Sequence, residues 1–256
     1  MSAEVHFVLQ GKGGVGKSVV ARMLIEYFLN EKAKYIGFDA DPVNQSLAAV
    51  TDYDIKRVEL MNGSEVDPRQ FDEVMSEIES LKDTKVIMDC GASSFLPIIG
   101  YIDDADAIDT LIEAGYEVFV HTVVTGGPSK NDTFTGYSQI KERFAESCNI
   151  VVWTNPIFGV VEADGTPFHE RPAIVKSIEE GELLGVIQIP KFPRMNQQDF
   201  AEFLELNTTF SKATSKTNTE INSMVRRRLL KMHGQLMFQI DQVLKEEAEE
   251  ETEDAS

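Results

Sequence analysis

Along the chain, short uninterrupted apolar runs alternate with stretches in which apolar residues recur every three or four positions. The runs fall at residues 5–10 (VHFVLQ), 34–39 (KYIGFD), 85–89 (KVIMD), 117–124 (EVFVHTVV), 150–154 (IVVWT) and 183–189 (LLGVIQI). Their near-continuous apolar character is that of strands buried on both faces. Helical spacing occupies residues 17–31, then 69–81 through Phe71, Val74, Met75 and Ile78, and then 196–206. The longest stripe runs through residues 217–247, from Ile221, Met224 and Val225 to Ile240, Val243 and Leu244. Such alternation predicts an α/β fold: a mostly parallel sheet flanked by helices, with a long C-terminal helix. Between strand-like runs, residues 158–171 (FGVVEADGTPFHER) are polar with Gly and Pro, which predicts an exposed loop or lid.

Ligands of parallel sheets sit beyond the carboxyl ends of the strands. Here those ends carry a glycine loop, an Asp, an Asp and a Thr-Asn. The glycine loop, GKGGVGKS at 11–18, satisfies G-x-x-x-x-G-K-[ST] between a strand and a helix. Glycines let such a backbone wrap phosphate oxygens with its N–H groups, and the following helix presents its positive end. The binding set is Gly11, Lys12, Gly13, Gly14, Val15, Gly16, Lys17 and Ser18, with Val19 in the first turn. Lys17 is expected to bridge the β- and γ-phosphates, and the Ser18 hydroxyl to ligate Mg²⁺.

The string KGGVGKS at 12–18 resembles the deviant Walker A motif of the ParA, MinD and arsenite-pump or tail-anchor-targeting ATPases. That resemblance implies ATP and Mg²⁺ as cofactors and an ATP-dependent homodimer. In it Lys12 would reach the partner's nucleotide and act catalytically beside Lys17. It further implies that Asp41 orients the attacking water and that Asp39 supports the metal site. Asp89, ending a hydrophobic strand, would hold Mg²⁺, and Asn155 would read the adenine edge. Two stations depart from the pattern: GVIQIP at 185–190 replaces Gly-x-Ile-Pro, and HTVVTGG at 121–127 lacks a proline–acid pair. Longer strings, including VLQGKGGVGKS at 8–18, DPVN at 41–44, GASSF at 91–95 and RLLKMHGQ at 228–235, resemble TraL-type proteins of conjugative plasmid transfer regions. This implies a slow ATPase switch working with a protein of the transfer machinery.

Composition narrows the alternatives. Net charge is −19, and the last twelve residues hold seven acids against one base. A surface of that sign repels nucleic acid and anionic lipid, so direct DNA binding is not expected. It also weighs against the rival reading, a plasmid partition ATPase coating DNA non-specifically, and against a MinD-like membrane cycler. No apolar run reaches 18 residues, so no integral membrane segment is expected. Two cysteines and the lack of a secretory leader indicate a reducing, cytoplasmic setting. The four histidines lack metal-site spacing, and His6 and His121 are read as strand packing. Residues Arg226, Arg227 and Arg228 with Lys231 form a solvated basic face or a docking patch. The expected organisation is a nucleotide-binding domain over 1–215, an amphipathic helix over 216–247 packed on it or on a partner, and an acidic disordered tail over 248–256.

Overall fold

The apolar runs assemble side by side into one sheet. The computed structural model describes residues 3–191 and 194–254. Its strands are β1 (Ala3–Val8), β2 (Tyr35–Ala40), β3 (Ile55–Arg57), β4 (Lys85–Cys90), β5 (Tyr116–Thr125), β6 (Asn149–Asn155) and β7 (Gly185–Gln188). They lie in the order β7-β6-β5-β1-β4-β2-β3, every neighbouring pair parallel. Successive side chains point to opposite faces, so each strand feeds two cores. Phe7, Met88, Val120 and Val152 enter one core. Val8, Ile87, Phe119 and Val151 enter the other.

Helices α1 (Lys17–Asn30), α2 (Pro68–Ser80), α3 (Phe95–Asp104), α4 (Ala107–Glu113), α5 (Lys130–Phe144) and α6 (Pro172–Glu179) are joined by α7 (Arg194–Glu205), α8 (Phe210–Ala213) and α9 (Ser223–Asp254). Core residues of α2–α6 pack on the first face. Those of α1 and α7–α9 pack on the second. The mostly parallel sheet flanked by helices and the long C-terminal helix are therefore present as expected. Asp67 starts α2, accepting the Arg69 amide with Pro68 at the first helical position, where its missing N–H costs nothing.

Several boundaries differ from the sequence pattern. The last helix begins at Ser223 rather than 217, because Asn222 accepts the amides of Met224 and Val225 at 3.0 Å each and caps it there. Its backbone continues to Asp254, through residues for which a disordered tail is expected. It packs within its own chain: Leu229, Leu236 and Ile240 are buried in the second core. The Gln239 amide also closes the sheet edge, accepting the Gln188 N–H at 2.9 Å and donating to the Gln188 carbonyl at 2.8 Å. An open edge is an aggregation template, and this side chain replaces the missing strand. Residues 158–171 are a pinned hairpin rather than a fully exposed lid, with Val161 and Phe168 buried as anchors.

Candidate phosphate-binding site

Val8 of β1 lies opposite Asp89 of β4, and the helices that follow these neighbouring strands pack on opposite faces. That divergence opens a crevice beyond their carboxyl ends, and the glycine loop fills it. The loop turns through Gly14 (φ 73°) and Gly16 (φ 104°), a left-handed backbone that side chains rarely adopt. Gly11 lets the chain cross Phe95, whose ring would meet an added Cβ at 2.8 Å. A Cβ on Gly13 would meet only Ala92, at 3.9 Å, and one on Gly14 would meet nothing within 4 Å. The loop thus borders an open cradle. No side chain caps α1, so the first-turn amides of Lys17, Ser18 and Val19 are left for an anion.

Lys17 reaches into the cradle base, 7% exposed, its ammonium 3.4 Å from the Lys12 carbonyl. Burial lowers its pKa, and the Asp89 and Asp41 charges oppose that shift. Asp89 is buried, and neither carboxylate oxygen has a hydrogen-bond partner of good geometry. Burial pushes its pKa up to about 7, with the Ser18 hydroxyl the main opposing influence and Asp39 adding to the rise. Orphaned buried carboxylates are costly and rare. This one, beside a hydroxyl and a phosphate cradle, fits a divalent cation that would favour its ionised form. Among the described residues no group of three or more His, Cys, Asp or Glu could hold a metal unaided.

The remaining residues named from the sequence lie at the same edge. Asp39 pairs in register with Asp89 but commits its oxygens to the Asp41 amide (3.3 Å) and the Ala48 amide (2.8 Å). It therefore holds the 41–48 segment. Asp41 Oδ1 accepts the amides of Val43 and Asn44, and Gly91 leaves room for its carboxylate. Asn155 donates to the Val15 carbonyl at 2.9 Å and accepts from the Ile157 amide, so it braces the glycine loop directly. Lys12 projects outward and pairs with Asp132 of α5 at 2.8 Å, both side chains substantially exposed.

Other members carry weaker sequence signals. Gln10 is buried and donates to the carbonyls of Val123 (2.8 Å) and Thr133 (3.1 Å), tying β1 to β5 and α5. Gly136, mid-helix in α5, makes this possible, since a Cβ there would sit 2.1 Å from Gln10 Oε1. A glycine inside a helix is the clue the sequence offered. Gly126 and Gly127 likewise let the 158–160 backbone pass, where added Cβ atoms would meet carbonyls at 2.2 and 2.3 Å. A recess of about 470 Å³ opens beyond β6 and β7, lined by Thr154, Pro156, Gln188, Ile189 and Pro190 among others.

A strand, a glycine cradle, a buried lysine and an acid on the adjacent strand define a P-loop nucleotide-binding domain. The model of the CobQ/CobB/MinD/ParA nucleotide-binding domain matches residues 6–228, and the chain belongs to that family. Two proteins named Protein TraL from Escherichia coli are 36% and 35% identical over 240 residues, 93% of this chain and 98% of each relative. The TraL-type resemblance thus extends along nearly the whole chain. Among solved structures, the septum site-determining protein MinD complexed with Mg-ADP from Pyrococcus horikoshii superposes with a TM-score of 0.50 at 16% identity. It covers 90% of this chain and 94% of that one. It is alike in fold.

Proposed function

We propose that this chain binds ATP with Mg²⁺ in the 11–19 cradle, hydrolyses it slowly, and uses the bound state to form a homodimer that engages a partner. The observation that carries the reading is the orphaned Asp89 carboxylate facing an uncapped helix start and a buried lysine. Lys17 and the loop amides hold the β- and γ-phosphates, and Ser18 and Asp89 hold the cation, Asp89 through water. Asp39 serves this site by fixing the segment that carries Asp41, which orients the attacking water. The base lies toward the Thr154–Pro190 recess, with Asn155 positioning the loop beside it. When bound, Mg²⁺ neutralises charge on the transferring phosphoryl group.

The dimer reading draws support from the surface. Val43, Leu96, Ile157, Phe158 and Val160 are all exposed large apolar side chains, and each follows the carboxyl end of a strand. Exposed apolar groups gathered on one face mark an interface. Lys12 stands on that face, and its exposed pairing with Asp132 is worth little in water. It is readily exchanged for a partner's phosphate. The 35–36% identity to TraL proteins points to conjugative plasmid transfer, with a cytoplasmic protein of that machinery as the partner. A net charge of −19 weighs against a DNA-coating partition role.

Calorimetry tests the site. ATP with Mg²⁺ binds the wild type, and Lys17→Ala weakens binding by a hundredfold or more, roughly the effect of losing a buried charged phosphate contact. Equal affinity for the two proteins rejects the assignment.

A further inference from the structure

Building on the nucleotide reading, we infer that Tyr53 is a positioning residue: its hydroxyl ties the segment carrying Asp41 to the helix that would receive the phosphates. Asp41 opens a surface stretch in which Pro42, Val43, Asn44 and Ser46 are exposed. A carboxylate on such a stretch keeps its place only when both sides are anchored. The near anchor is Asp39 of β2, which accepts the Ala48 amide at 2.8 Å. Beyond it the chain makes two successive turns, the Val50 amide bonding to the Leu47 carbonyl and the Tyr53 amide to the Val50 carbonyl, each at 3.1 Å. Leu47, Val50 and Tyr53 are thereby buried in the core they share with α1.

The far anchor is polar. Arg22 and Glu26, one turn apart on α1, are 4% and 2% exposed. The Tyr53 hydroxyl lies between them, accepting from Arg22 Nε at 3.3 Å and donating to the Glu26 carboxylate. Both charges also bind backbone of the α7–α8 region. Arg22 donates to the carbonyls of Leu204 at 2.9 Å and Thr208 at 2.6 Å, and its guanidinium lies 4.4 Å from the Phe203 ring centre. Glu26 accepts the Phe210 amide at 2.7 Å. Those contacts account for the docking of α7 and α8 without Tyr53. Phenylalanine would fill the same space with no hydroxyl to desolvate, so packing does not account for the oxygen either. Burial raises the Glu26 pKa, and the Tyr53 hydroxyl and the Phe210 amide oppose that rise by binding the ionised carboxylate. The remaining effect of the hydroxyl is to fix the far end of the 41–53 segment. Asp52 adds contacts with Thr208 and Lys212 toward the surface, where such pairs are worth little.

Helix α1 joins this anchor to the proposed reaction. It starts in the cradle at Lys17, and Arg22 and Glu26 follow along the same helix. Phosphates held on its first-turn amides and the partners of the Tyr53 hydroxyl then belong to one rigid element. Asp41 is placed against them from two sides, from β2 through Asp39 and from α1 through Tyr53. Such anchoring matters because a displacement of about 1 Å can cost about a hundredfold in rate.

The test is Tyr53→Phe, which removes the hydroxyl and keeps the ring. In the nucleotide-free chain, hydrogen exchange of amides 43–48 quickens about tenfold, the scale of one buried hydrogen bond to a charged group, while the strands exchange at wild-type rates. With ATP and Mg²⁺, kcat for phosphate release falls about tenfold at unchanged KM, and calorimetric affinity stays at the wild-type value. A role in stability alone would lower the urea midpoint and quicken exchange throughout the chain with kcat intact, and that result overturns the proposal. Wild-type exchange at 43–48 overturns the tie, and quickened exchange with wild-type kcat overturns its bearing on Asp41. A wild type that binds no ATP removes the nucleotide reading instead, and the exchange of 43–48 still decides whether Tyr53 anchors the segment.

Discussion

Asp41 spends Oδ1 on the amides of Val43 and Asn44, at 2.8 and 2.9 Å, while Oδ2 accepts no hydrogen bond among the described residues. That second oxygen is the acceptor available to a water in the proposed reaction. Asp41→Ala is expected to keep affinity for ATP with Mg²⁺ while cutting phosphate release by roughly a hundredfold or more, the usual scale for a lost positioning base. Calorimetry and a phosphate-release assay on the same preparation decide it, and wild-type turnover would assign the water to another group. Lys17, Ser18 and Asp89 could be named as candidates from the sequence because each lies in one short string or at one strand end. Asn155 and Gln10 were harder to read. Their contacts reach 140 residues back to Val15 and 113 residues forward to Val123, and such pairings exist only once strands are ordered. For the same reason Asp39 reads from sequence as a metal-site acid, although the fold surrounds it with amides.

Between elements, a buried chain of hydrogen bonds crosses four adjacent strands. Trp153 Nε1–H can only donate, so His121 accepts it at Nδ1, 3.0 Å away. His121 Nε2–H then donates to His6 Nδ1 at 2.9 Å, and His6 Nε2–H donates to Glu4 at 3.0 Å. Lys85 closes the chain on the other Glu4 oxygen. This fixes both neutral tautomers and explains how two fully buried histidines sit in a sheet core. Burial lowers the pKa of both imidazoles. Burial alone would raise Glu4, but His6 and Lys85 outweigh it and hold the carboxyl at about 2. The folded histidines stay neutral where unfolded ones bind protons, so stability falls as pH drops below about 6.5. Glu4 adds a further loss as pH falls from its ordinary range toward about 2. Each imidazole contributes up to about 1.4 kcal/mol per pH unit. His121→Phe should be less stable at neutral pH yet lose stability less steeply between about pH 7 and pH 5. Urea midpoints across that range check it, and parallel slopes would remove the histidines from the acid response. Apolar runs made the six longer strands readable in advance. Strand β3, three residues with Lys56 and Arg57, carries no such run, and α5 hides its Phe134, Tyr137, Ile140 and Phe144 stripe in an otherwise polar segment.

For the whole molecule, the proposed nucleotide site bears on assembly through Lys12. In the proposed reading Lys12 is unnecessary for one chain to hold ATP, since Lys17 and the loop amides would already meet the phosphates. In the proposed dimer its work would begin when two chains face each other across two nucleotides. Like charges repel strongly in a poorly hydrated interface, and a lysine from each side offsets that repulsion. In the free chain Lys12 is held by Asp132 at 2.8 Å, so that pair would have to open for the proposed sandwich to form. Asp41→Ala with ATP and Mg²⁺ is expected to pass from monomer to dimer. Adding Lys12→Ala leaves a nucleotide-bound monomer, whereas adding Asp132→Asn lowers the dimer dissociation constant by up to about fivefold, the worth of one exposed ion pair. Light scattering at matched concentrations, with and without ATP and Mg²⁺, reads all three proteins. A Lys12→Ala chain that still dimerises only with ATP would remove the lysine from the interface.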